Sequence, residues 1–83
     1  MRGDSQAAAR YYQQHLDIAR VVSDKSGEGN ALWNLSLALF GLGRRASAIA
    51  SAEEALRIYQ ETGSPHQAKV RERLSQWRSL DGV

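Results

Sequence analysis

Residues Glu28–Tyr59, EGNALWNLSLALFGLGRRASAIASAEEALRIY, decide the fold. Leu32, Leu35, Leu39 and Leu42 recur at three- and four-residue steps and, with Ala31 and Ala38, lay one apolar stripe along a helix. Trp33, Leu37 and Phe40 fall at i, i+4, i+7 on a different face, so this helix is either packed twice or keeps one side for a partner. Gly43 closes it, because glycine enters the left-handed conformation without a Cβ penalty, and Arg44 and Arg45 follow at the turn. The next helix is expected from about Arg45 to Thr62. Its inward positions are small, Ala48, Ala52 and Ala55, with Ile49, Leu56 and Tyr59 as the bulk, and small residues let two axes approach to about 8–10 Å. The stretch reads as a helical hairpin.

Working outward, the chain repeats itself at forty residues: Gly3 falls on Gly43, Ala8 on Ala48, Tyr12 on Ala52, Leu16 on Leu56 and Ile18 on Ile58. Residues from about Asp4 to Ser23 therefore form another second helix, entered through a Gly3-Asp4 turn and capped by Asp4 or Ser5, with no first helix before it. Asp24-Lys25-Ser26-Gly27 reads as a short polar linker, and Gly63-Ser64-Pro65 as its counterpart after the hairpin. A fourth helix is expected from about His66 to Leu80. Val70, Leu74 and Trp77 make one narrow stripe there, while Lys69, Arg71, Glu72, Arg73, Gln76 and Arg78 are polar, the pattern of a helix that covers the end of a stack. Asp81-Gly82-Val83 is expected to fray. The expected fold is all-α, a single domain made of a lone second helix (4–23), a complete hairpin (28–62) and a capping helix (66–80).

Composition narrows the function. At 83 residues and 9.2 kDa a single core is marginal unless its geometry is regular or its ends are paired. The chain has no cysteine, which excludes disulfides, thiol catalysis and thiolate metal sites and suits a reducing, cytoplasmic setting. No run approaches the ~20 apolar residues that span a bilayer, so neither a signal peptide nor a membrane helix is expected. Eleven Lys and Arg against nine Asp and Glu leave a formal charge of +2, too small an excess to indicate nucleic acid.

With Leu35-Ser36, Ala38 with Phe40, Gly43, Ala48, Ala52 and Ala55-Leu56 at their places, the chain resembles the tetratricopeptide repeats. The forty-residue period exceeds the usual length of about 34 and is similar to the extended variety of long bacterial arrays and animal cell-polarity adaptors. Two positions depart from the pattern: His15 stands where the hairpin has Ala55, and Trp77 where its first helix has Ala38, so looser stacking is expected at both ends. The resemblance implies an α–α superhelix, ordered second helix, first helix, second helix, cap, with the first helices lining a concave groove. Its groove positions fall on Asn30, Trp33, Asn34, Leu37 and Gly41, bordered by Phe40. Trp33 is the leading contact; the alternative is that it packs against the neighbouring pair. Family members that grip a peptide carboxylate pair an asparagine with a lysine and an arginine one turn apart, and Asn34, Lys69 and Arg73 match those places. The competing reading makes Lys69 and Arg73 the solvated face of a cap.

Catalytic and metal readings are thin. His15 and His66 lie on different helices without a carboxylate or second histidine at ligand spacing. Gly41-Leu42-Gly43 and Gly27-Glu28-Gly29 lack the strand context and lysine of a phosphate loop. Arg2-Gly3-Asp4 spells an adhesion tripeptide but fills a turn. Glu53 and Arg57 stand at a supportive i, i+4 spacing. Arg44, Arg45 and the last helix offer no single basic stripe and no stacking platform for nucleic acid, since Arg71, Arg73 and Arg78 do not align. The expectation is a non-catalytic module, without cofactor, metal or membrane contact, that binds a protein or peptide segment. The alternatives are self-association through the unpaired N-terminal helix, which leaves Tyr11, Tyr12, Leu16 and Ile18 short of neighbours, or a piece of a larger regulatory array.

Overall fold

In the computed structural model, which describes residues 2–81, the elements follow in the order α1 (Arg2–Val21), α2 (Lys25–Gly41), α3 (Arg45–Thr62) and α4 (Gln67–Asp81). The first three helices end in the same closure. A residue in the left-handed region stands just past each, Ser23 at φ 58°, Gly43 at φ 80° and Gly63 at φ 69°. The N–H groups after these residues reach back to the helix: Asp24 to the Ala19 carbonyl at 2.8 Å, Arg44 to Leu39 at 3.0 Å and Ser64 to Tyr59 at 2.8 Å. This pattern satisfies carbonyls that a helix end leaves open, and the short turns fold each helix back on the one before. Gly43 and Gly63 are legible in the sequence as stops. Ser23 is not, because serine seldom takes this conformation.

Helix starts differ from the sequence reading at two places. The expected linker residues Lys25, Ser26 and Gly27 already belong to α2, because the Asp24 carboxylate accepts the Gly27 N–H at 3.0 Å and caps the first turn. A Cβ at Gly27 would lie 2.3 Å from Asp24 Oδ2, so the cap needs glycine there. Helix α1 begins at Arg2, which puts Gly3 and Asp4 inside the helix rather than in a turn; Asp4 in the first turn favours the positive end of the helix dipole. The adhesion tripeptide therefore has a helical backbone. The hairpin's second helix runs Arg45–Thr62, as its pattern predicts. Gly82 and Val83, where fraying is expected, lie outside the described residues.

Packing runs in series, α1 on α2, α2 on α3 and α3 on α4. The α2–α3 contact is built on Ala48, Ala52 and Ala55, all fully buried, against Ala31, Leu32 and Leu35. At Gly29 the helices come so close that a Cβ would stand 3.0 Å from both Ile58 Cγ2 and Tyr59 Cε1. Val70, Leu74 and Trp77 bury the inner face of α4. The Cα extents, 38 × 28 × 16 Å, leave room for two helical layers in the thin direction, so each helix keeps a face toward solvent. Ion pairs lace the outside. Arg20 of α1 holds Glu28 of α2 at 3.3 Å and Glu54 of α3 at 3.1 Å. Arg57 pairs with Glu54 and Glu61 rather than with the expected Glu53, which instead meets Arg78 because α4 crosses α3 there.

Candidate functional site

The sequence leaves the Trp33, Leu37 and Phe40 stripe of α2 either packed or kept for a partner, and the structure divides it. Trp33 is only 8% exposed and its ring stacks on Trp77 of α4, centroids 6.3 Å apart at 26°. Phe40 stacks on the same indole, at 4.6 Å and 8°. Trp77, read in the sequence as a sign of loose stacking, is instead packed against two aromatic rings of α2 and buried to 3% exposure. Of the two sequence readings of Trp33, packing against the neighbouring element is the one that matches its burial. It is not available as an open groove contact.

Leu37 remains open at 37% exposure. It joins Asn34 and Ala38 of α2 to Asp4, Ser5, Ala8 and Tyr12 of α1, and these residues line a trough of about 330 Å³. Next to Ser5 of the trough, a Cβ at Gly41 would meet Ser5 Oγ at 2.8 Å, so α1 and α2 approach closely there. Asn30 is turned to α3, where its side-chain oxygen accepts the Tyr59 hydroxyl at 2.7 Å. Burial pushes the Tyr59 phenol above its ordinary value of 10.0, and its ring lies 5.4 Å from that of His66. Lys69 and Arg73 stand exposed on α4. The predicted residues are therefore distributed over four surroundings, Asn34 and Leu37 in the trough, Trp33 and Phe40 in the aromatic stack, Asn30 on Tyr59, and Lys69 and Arg73 on the exposed face of α4. A larger recess, about 550 Å³, lies on the other flank of α1 over Leu35, Leu39 and Leu42, with Gln6, Arg10, Gln13 and Arg44 at its rim. Its leucines belong to the inward stripe of α2, whereas the trough carries the open Leu37.

The outer face of α1, where the sequence reading left Tyr11, Tyr12, Leu16 and Ile18 short of neighbours, divides as well. Ile18 and Ile58 hold the same place in the forty-residue period, yet Ile58 is fully buried and Ile18 is 61% exposed. Tyr11, Val21 and Val22 are exposed beside it. Of the four residues expected to lack neighbours, Leu16 is in the core and Tyr12 is half-buried; Tyr11 and Ile18 remain uncovered. The signal was the period itself, since α3 shows which face of α1 a first helix would cover.

Among the described residues no group of three His, Cys, Asp or Glu side chains could hold a metal ion, and no helix is long and apolar enough to cross a membrane. No curated protein and no solved structure matches the chain. The family model of the tetratricopeptide repeat matches residues 1–61. That match covers α1, α2 and nearly all of α3, the helices that share the twenty-residue spacing of closures and the small-residue contact. The chain belongs to the tetratricopeptide-repeat family, whose members are all-α helical repeats that serve in general as protein-interaction modules.

Proposed function

We propose that this chain binds a segment of another polypeptide in the trough between α1 and α2, with Leu37 as the apolar contact and Asn34 as the hydrogen-bonding one. The observation that carries the reading is an exposed leucine beside a half-buried asparagine in a trough walled by Ala8 and Tyr12. Asn34 offers both a donor and an acceptor to a peptide backbone, and the apolar walls suit one inserted side chain. On this reading the module has no chemistry of its own and works in the cytoplasm. Trp33 and Phe40 act indirectly, by holding α2 in place against Trp77. Lys69 and Arg73 supply the charge that would favour a free carboxylate at the end of the guest.

The test is a random-peptide display selection on the whole chain, followed by calorimetry of the selected peptides against wild type and Leu37→Arg. Binding that Leu37→Arg weakens by about tenfold or more supports the trough; equal affinity for both proteins removes it. Free and C-terminally amidated forms of one selected peptide then separate the two contributions, because equal affinity for both forms denies Lys69 and Arg73 a part.

A further inference from the structure

We propose that the recess on the other flank of α1 is a second docking site, separate from the trough, for an extended segment of another polypeptide in which acidic and branched apolar residues alternate. Its volume is about 550 Å³, inside the range of about 300–1,000 Å³ usual for sites that hold a bound molecule. The two walls differ in kind. Gln6, Arg10 and Gln13 of α1 form one, Leu35, Leu39 and Leu42 of α2 the other, and Arg44 of the following turn stands at the rim. Leu39 and Leu42 are only half-buried, so the apolar wall is open to a guest. No acidic side chain lines the recess among the described residues. Nor does the guanidinium of Arg10 or Arg44 make an ion pair among them, whereas Arg20, Arg57 and Arg78 each hold a glutamate. Arg44 is also the N-cap of α3, whose first turn contains no acid, so the positive end of that helix adds to the same field. An apolar wall beside two such cations favours a guest that brings carboxylates together with apolar bulk, and it disfavours a basic one.

The dimensions point to a polypeptide strand. Each wall spans seven residues of helix, Gln6 to Gln13 and Leu35 to Leu42, a rise of about 10.5 Å. An extended chain covers that length in about three residues, at roughly 3.3 Å each, and its successive side chains point to opposite sides. One apolar side chain can therefore lie on the leucines while its neighbours turn their carboxylates toward Arg10 and Arg44. The Gln6 and Gln13 amides offer donors and acceptors to the backbone of the same strand. The trough meets α1 through Ala8 and Tyr12 instead, so the two sites draw on different residues.

The probe is the peptide Glu-Leu-Glu-Leu-Glu, acetylated and amidated so that only its side chains carry charge, titrated into the isotopically labelled whole chain and followed by amide chemical shifts. Saturable shifts are expected at Gln6, Arg10, Gln13 and Arg44. Arg10→Glu and Arg44→Glu should each weaken binding by about threefold or more, and the two together by about tenfold. Replacing the glutamates of the peptide by glutamine should weaken it as much. Both arginines are exposed, so circular dichroism should show unchanged helix content in the variants. No saturable shift up to about 10 mM peptide, the weak limit of specific binding, overturns the proposal. Equal affinity for the glutamine peptide, or for the double variant, overturns it as well. Shifts centred on Asn34 and Leu37 assign the peptide to the trough and remove the recess. Decanoate, one carboxylate on an aliphatic chain, is the last arm: if it occupies the recess more tightly than the peptide does, the site takes a small amphipathic acid and the strand is excluded.

Discussion

Serine at position 23 occupies a conformation that glycine fills at the two equivalent closures, Gly43 and Gly63. Left-handed backbone costs an L-residue about 1–2 kcal/mol, offset in part by the greater chain entropy of glycine when unfolded. Ser23→Gly should therefore stabilise the fold by about 0.5–1 kcal/mol, seen as a higher urea midpoint with unchanged slope. Tyr59 makes a second residue-scale prediction. Its phenol is held protonated by burial, so the folded chain keeps that proton more tightly than the unfolded one. The stability this contributes is fully present below about pH 10 and is lost as the pH climbs from there through the raised folded value. Tyr59→Phe should flatten the alkaline loss in a pH series of melting curves, at a cost near neutrality of about 1 kcal/mol for the bond to Asn30.

Helix α4 is attached by a few side chains, and one of them does most to join it to α2. Trp77 packs against both Trp33 and Phe40 while Val70 and Leu74 are buried on the same inner face, so a helix with an almost wholly polar outer face is fastened along one narrow line. Trp33→Ala bears on the same joint. With the indole stacked in the interior, it and Trp77→Ala should each cost about 3–5 kcal/mol, read by chemical denaturation. The α2–α3 contact owes its closeness to absence of bulk at Gly29, Ala48, Ala52 and Ala55. There the sequence was a sound guide, since alanine at three- and four-residue steps on one helix states where a neighbour's backbone must come.

At the scale of the molecule, the two outermost helices present different faces. The outer face of α4 is polar, whereas α1 leaves Tyr11, Ile18 and Val22 exposed. A guest in the trough would touch α1 and α2 together, through Ala8 and Tyr12 on one side and Asn34 and Leu37 on the other. A selected peptide should therefore raise the melting temperature of the chain as its concentration rises, and Leu37→Arg should abolish that rise.

The local pattern by itself determined the all-α class, the second helix of the hairpin at residues 45–62 and the glycine closures, because helix faces and turn glycines are dictated by residues within a turn or two of each other. It also carried the forty-residue period, and with it the family. Only the tertiary structure decided which apolar stripe stays open. Trp33, Leu37 and Phe40 are equivalent by spacing along α2, and their fates differ because Trp77, far along the chain, fills the gap beside two of them and leaves the third bare. Ile18 and Ile58 differ for the same reason: periodicity marks the face a helix must cover, while exposure depends on whether a neighbour arrives.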